Sequence, residues 1–210
     1  MIKILIADDH TIVREGLKQI LAETADMVVT DEAVNGLDVV DKAAKQNFDV
    51  VLLDISMPGR NGLDVLKQLR AEHPNLPVLI LSMYSEEQYA MRALRAGAAG
   101  YLTKDSASDE LILAIRKISS GKKYLGPSLA EKLAVYLEHG EDKPLHEALS
   151  DREYQVMCMI ASGKAVKEIG EELNLSVKTI STYRARILDK MRMKTNAALT
   201  HYAIQNKLAE

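Results

Sequence analysis

Residues 50–53, Val-Val-Leu-Leu, are apolar at every position, and Asp54 follows at once. A short run without polar alternation cannot turn one face to water. It reads as a strand covered on both faces, as in a parallel sheet. Such sheets place ligands just outside the carboxyl ends of their strands. Asp54 stands at that end, and Pro58-Gly59 then breaks the chain into a loop. On its own, Asp54 serves equally well as a cap on that loop.

Four more segments repeat the pattern. Ile2–Ala7 is a strand that ends in Asp8 and Asp9, and Met27–Thr30 is a second. Val78–Met83 and Ala98–Lys104 read as the fourth and fifth. Between and after them, apolar residues recur at helical spacing: Ile12, Val13, Leu17, Ile20 and Leu21; Leu37, Val40 and Ala44; Leu63, Leu66 and Leu69. Further helices run over 86–96, closed by Gly97, and over 109–119, ended by Gly121. Strands alternating with helices make a doubly wound five-stranded parallel sheet, the α/β class. In the flavodoxin-like order 2-1-3-4-5, the ends of strands one and three meet at the switch point.

That order brings Asp8, Asp9 and Asp54 together, with Ser82 and Lys104 ending strands four and five. Three carboxylates in one place repel one another unless a cation joins them. Hard oxygen donors with room for water suit Mg2+. Lys104 adds a point charge suited to a phosphoryl group, and Ser82 offers it a hydroxyl.

The rest of the chain is different in kind. Leu129, Leu133 and Leu137 predict a short amphipathic helix ending near Gly140, and Glu141–Pro144 reads as linker. Ser150 and Glu153 fit a capping box. It opens the first of four short helices, which stops at Gly163. The second runs over 166–173, Asn174-Leu175 turns the chain, Ser176 caps the third over 177–192, and the fourth covers 196–206. Two short helices joined by a tight turn, the second basic, form a helix-turn-helix. Between 178 and 194, six Lys and Arg face one Asp.

Charge divides along the same line. Residues 148–210 hold 10 Lys+Arg and 7 Asp+Glu, a net of +3, while residues 1–147 hold 17 and 23, a net of −6. A basic segment behind an acidic body points to nucleic acid. The chain has no run of 18 apolar residues and no charged-then-apolar leader, so neither a membrane span nor a secretory signal is expected. A single cysteine, Cys158, fits a reducing cytoplasm, and its apolar neighbours mark it as a core thiol.

With Ile180, Ile187, Leu188 and Met191 turned inward, the opposite stripe of the third helix is Lys178, Ser181, Thr182 and Ala185. Recognition helices set their N-terminal part against base edges. Ser181 and Thr182 are therefore the expected base readers, and Ala185 permits close approach. Lys178, Thr179, Arg184 and Arg186 are expected on phosphates.

The acid pair Asp8-Asp9, Asp54 with Met57-Pro58-Gly59 after it, Ser82, Tyr101 and Lys104 together resemble the receiver domain of two-component response regulators, over residues 1–121. Leu149–Glu153, Lys167–Ile169 and Leu175–Ile180 resemble the four-helix DNA-binding domain of LuxR-type regulators, over 148–210, with 122–147 as a linker carrying a short helix. The whole chain is similar to NarL/FixJ-type response regulators. That resemblance implies a phosphoryl group accepted on Asp54 from a sensor histidine kinase. It implies Mg2+ held by Asp9, Asp54 and the carbonyl of Ser56, with Asp8 helping. It further implies phosphoryl contacts from Ser82 and Lys104, movement of Tyr101 with Ser82, dimerisation on phosphorylation, and regulation of transcription on double-stranded DNA rather than enzymatic turnover.

Three positions depart from the family pattern. Asp105 stands where many receivers have a proline in a cis bond, which leaves that peptide's conformation open. Ala165-Val166 replaces a common Ser-Asn, and Gly170 replaces a common alanine, a change worth up to about 1 kcal/mol of helix stability. Two other functions fit parts of the chain: an aspartyl-phosphate phosphatase or phosphotransferase, and an adaptor whose helix-turn-helix no longer binds DNA. Against the first, Ile55 and Ser56 supply no second acid close after Asp54. Against the second stands the retained basic helix.

Overall fold

A computed structural model of the chain describes residues 1–126, 129–131 and 144–209, apart from the side chains of 86–88. The chain divides into two compact units, Met1–Glu131 and Lys132–Glu210.

The first unit alternates strand and helix throughout: β1 (Ile2–Ala7), α1 (Thr11–Ala22), β2 (Met27–Ala33), α2 (Gly36–Lys45), β3 (Val50–Asp54), α3 (Gly62–Glu72), β4 (Val78–Ser82), α4 (Glu86–Arg95), β5 (Gly100–Thr103) and α5 (Ser108–Ser119). All strand pairs are parallel and the order is β2-β1-β3-β4-β5. Side chains leave each strand on alternate faces. On one face Ile4, Ile6, Leu52, Leu79, Leu81 and Leu102 pack with Leu17 and Leu21 of α1 and Leu111, Ile115 and Ile118 of α5. On the other, Leu5, Val51, Leu53 and Ile80 are buried together with Val65, Leu66 and Leu69 of α3. Both faces of the central strands are therefore dry, which explains why β3 and β4 are apolar up to their last residues, Asp54 and Ser82. Asn35 and Asn61 cap α2 and α3 by accepting hydrogen bonds from the first backbone N–H groups of those helices.

The chain does not leave this unit at Gly121. The Tyr124 N–H donates to the Ala99 carbonyl at 2.8 Å, and Tyr124 bridges Gly100 at the edge of β5. Its hydroxyl donates to Glu110 Oε1 at 2.9 Å. Leu129, at the start of the expected linker helix, is fully buried, and 129–131 are helical. Leu133 and Leu137 lie outside the described residues. There is no cis peptide among the described residues, so the Lys104–Asp105 bond is trans.

The second unit is helical: a 3-10 turn (Leu145–Ala148), then α6 (Asp151–Ala161), α7 (Val166–Glu172), α8 (Val177–Lys190) and α9 (Asn196–Gln205). The capping box forms, with Ser150 Oγ accepting from the Glu153 N–H and Glu153 Oε2 from the Ser150 N–H at 2.8 Å. α6 is the central element, buried at every position but Arg152 and packed on α8 and α9. Ile169, Leu173, Ile180, Ile187, Met191 and Leu199 complete the core, while Leu188 is half-buried. Asn174 takes the left-handed conformation, φ 53°, at the turn between α7 and α8. A Cβ on Gly170 would stand 2.8 Å from the Leu175 carbonyl oxygen, so glycine here lets that turn fold back tightly. No described helix is long and apolar enough to cross a membrane.

Candidate functional site

Strand register assembles the site. Ala7 pairs with Leu53, which sets Asp8 beside Asp54. Asp54 pairs with Leu81, and Ser82 with Thr103, so Ser82 and Lys104 fall at the same rim. Asp8 and Asp54 are 2% and 1% exposed. The Lys104 ammonium lies between them, 2.6 Å from Asp8 Oδ2 and 2.9 Å from Asp54 Oδ2. The Ser56 N–H donates to the other oxygen, Asp54 Oδ1, at 3.1 Å.

The electrostatics follow from two carboxylates sharing one buried cation. Burial raises the pKa of Asp54 above the usual carboxylate range; Lys104 opposes this and Asp8 adds to it. Burial works against the Lys104 ammonium, yet Asp54 and Asp8 outweigh it and hold that group above its ordinary value. The pocket remains short of positive charge.

Asp8, Asp9, His10 and Asp54 present ligand atoms within 4.8 Å of one another, close enough to hold a metal ion. Asp9 Oδ1 is shut off from solvent and has no aligned hydrogen-bond donor among the described residues. A hard divalent cation suits that orphaned oxygen and the surplus of carboxylate.

Two contributors carry no signal in the spacing of apolar residues. Arg14 is buried on α1. It donates from Nη1 to the Asp8 carbonyl at 2.9 Å and from Nε to Glu32 Oε2 at 2.9 Å, which fixes the turn that carries the acids. His10 follows the acid pair directly, and that adjacency is the only hint the sequence offers. Ser82 and Tyr101 are fully buried and linked through a third residue. Ser82 Oγ accepts from the Tyr84 N–H at 3.1 Å, and the Tyr101 hydroxyl donates to the Tyr84 carbonyl at 2.7 Å.

In the second unit, Lys178, Ser181, Thr182, Ala185 and Arg186 are exposed along α8. Thr179 is half-buried, its hydroxyl 2.8 Å from Ser176 Oγ. Thr182 Oγ1 donates back to the Lys178 carbonyl at 2.9 Å. Arg184 is half-buried, its Nε donating to Asn196 Oδ1 at 2.7 Å.

A carboxylate pocket with a buried lysine at the carboxyl end of a five-stranded parallel sheet, joined to a helix-turn-helix unit, defines a two-component response regulator. The family model described as the response regulator receiver domain matches residues 4–116, and that of the bacterial regulatory proteins of the luxR family matches 147–203. The chain belongs to the LuxR-family response regulators of the NarL/FixJ type. It is 37% identical over 209 residues to the response regulator UvrY of Escherichia coli, covering 99% of this chain and 96% of that one. It is 35% identical over 212 residues to the response regulator GacA of Pseudomonas aeruginosa, covering 100% and 99%. Among solved structures, RcsB of Salmonella enterica serovar Typhimurium, bound to promoter rprA in the presence of phosphomimetic BeF3−, aligns with a TM-score of 0.65 at 26% identity. That alignment covers 96% of this chain and 98% of RcsB.

Proposed function

We propose that this chain is a phosphorylation-controlled transcription regulator. Residues 1–121 form the receiver, 122–147 a linker whose first residues, up to Glu131, pack with the receiver, and 148–210 the DNA-binding domain. The observation that carries the reading is Asp54, a buried carboxylate at the end of β3, with Lys104 at 2.9 Å and Asp8 and Asp9 alongside.

Asp54 attacks the phosphorus of a phosphohistidine on a sensor kinase. The new P–O bond forms as the P–N bond breaks, and its electron pair returns to the imidazole. Asp9, Asp54 and the Ser56 carbonyl would hold Mg2+, with Asp8 supporting. When bound, Mg2+ supplies positive charge to the phosphoryl oxygens and relieves the crowding of carboxylates. Lys104 then turns to the new phosphoryl group, and Ser82 donates its hydroxyl to it. The chain acts in the cytoplasm and pairs with a second copy when phosphorylated.

On DNA, Ser181 and Thr182 read bases and Ala185 allows the approach, while Lys178, Thr179 and Arg186 hold phosphates. Arg184 has its Nε on Asn196, which leaves its Nη groups for a phosphate. The output is regulation rather than turnover, since Ile55 and Ser56 place no second acid after Asp54.

A phosphate-affinity gel tests the reading. With acetyl phosphate and Mg2+, the parent gives a retarded band that Asp54→Ala lacks. A normal band from the variant would overturn the assignment.

A further inference from the structure

His10 stands apart from the oxygen donors around it. Its side chain is 63% exposed at the mouth of the pocket, and its Nδ1 lies 3.2 Å from Asp8 Oδ1 and 3.0 Å from Asp9 Oδ1. Lys104 occupies the other oxygen of Asp8, so the lysine and the imidazole approach Asp8 from different sides. The backbone N–H of His10 also donates to Asp8 Oδ1 at 2.8 Å, which fixes the residue beside the acid pair.

These spacings match a coordination shell. Neighbouring ligands of an octahedral ion with bonds of about 2.1 Å are separated by about 3.0 Å. His10 Nδ1 already lies at that scale from Asp8 Oδ1 and from Asp9 Oδ1. The short contact from Nδ1 to Asp9 Oδ1 is not an aligned hydrogen bond, because that oxygen has no donor of acceptable geometry. Asp9 Oδ1 therefore keeps capacity for a cation, whereas Nδ1 is hydrogen-bonded to Asp8 Oδ1 at 3.2 Å, so an ion that binds Nδ1 takes the place of the proton in that bond.

We propose that His10 is a metal ligand of this site, and that its nitrogen tilts the site from Mg2+ toward first-row transition ions, Mn2+ among them. The proposal rests on the metal reading of the Asp54 pocket given above. An all-oxygen shell suits Mg2+ and Mn2+ alike. Mg2+ keeps its waters and gains little from an imidazole, whereas the transition ions accept nitrogen readily. With 63% of the side chain exposed, the ring can turn onto the ion without disturbing the core.

The test uses the full-length chain at fixed pH, titrated with Mn2+ alone while the free ion is followed by electron paramagnetic resonance, then with Mg2+ as competitor. In His10→Gln, Mn2+ binding should weaken by at least about tenfold, the scale on which metal sites respond to losing a supporting group. Mg2+ binding should stay near the parent value. Nitrogen modulation in the spin echo of bound Mn2+ should be present in the parent and absent in the variant. An unchanged Mn2+ to Mg2+ ratio, or parallel loss of both ions, would overturn the role of His10. Failure of the parent to bind either ion, or binding that Asp54→Ala leaves intact, would instead sink the metal reading of the pocket.

Discussion

The hydroxyl of Tyr101 donates to the backbone carbonyl of Tyr84 at 2.7 Å, across the ends of β5 and β4. The N–H of the same Tyr84 donates to Ser82 Oγ at 3.1 Å. Ser82 and Tyr101 are thus coupled through one backbone residue. A phosphoryl group on Asp54 that draws the Ser82 hydroxyl competes for the group that anchors Tyr84. A hydrogen bond to a charged acceptor contributes roughly 1.5–3 kcal/mol, about a ten- to hundredfold shift between two states. Ser82→Ala should accept phosphate yet dimerise at least about tenfold less readily by sedimentation. Tyr101→Phe should lose about 1 kcal/mol of the coupling. Full dimerisation of phosphorylated Ser82→Ala would exclude this route.

Gly62 opens α3 against the end of β3, its N–H donating to the Ile55 carbonyl at 3.0 Å. A Cβ there would overlap the Asp54 carbonyl oxygen and stand 2.7 Å from Ile55 Cα. Both obstacles are backbone and cannot rotate away. Gly62→Ala should cost about 1–3 kcal/mol or more of stability and shift Asp54. A urea midpoint and a phosphate-affinity gel should both register the change; parent values in both would refute the clash.

Glu153 is buried and its carboxylate lies 2.6 Å from Lys190 Nζ. Burial pushes its pKa up, but Lys190 and the N–H and hydroxyl of Ser150 prevail, so it lies below the ordinary value of 4.5. A folded pKa below the unfolded one contributes stability above the unfolded value and loses it as pH falls through the folded one. The parent should therefore exceed Glu153→Gln in denaturant midpoint at neutral pH, and the gap should close in acid below 4.5. A gap independent of pH would show that the carboxylate charge is not what the pair uses.

On α8 the Thr182 hydroxyl proton is committed to the Lys178 carbonyl. Its oxygen can still accept from a base but no longer donate to one, and its methyl group is free to meet thymine methyl groups. Thr182→Val should keep the preference for operator over random DNA, while Thr182→Ser should narrow it by roughly 1–3 kcal/mol. Arg186→Ala should weaken both DNAs alike and reduce the salt slope by about one. The reverse order for valine and serine would assign the reading to the hydroxyl.

Apolar runs made β1, β3 and β4 and the acids and serine that follow them legible, because strands buried on both faces leave no polar alternation, and the flavodoxin-like order then brought those ends together. Edge strand β2, half exposed and carrying Thr30, Asp31 and Glu32, runs to Ala33, three residues past the expected Met27–Thr30. The stripe on α8 was legible for the same reason: Ile180 and Ile187 fix its inward face. Partners supplied by backbone were not. Arg14 reaches the carbonyl of Asp8, and Tyr101 that of Tyr84; every residue offers a carbonyl, so no side-chain pattern announces these bonds. The Arg184–Asn196 bond joins two helices across a turn, and only the packed structure shows it. Tyr124 was hidden because a single bridge to Gly100 has no period.

That bridge decides where mechanical load enters the receiver. Once Leu129 is pulled from its seat, tension on the connecting segment arrives at Tyr124, which passes it to the sheet at Ala99 and Gly100, one residue from Tyr101, and to Glu110 of α5. A single lateral bridge gives way like a latch, whereas a long strand pair shares the strain among many bonds. A receiver severed after Gly121 would lack the latch and would leave the start of β5 as an open edge, available to pair with a neighbouring chain.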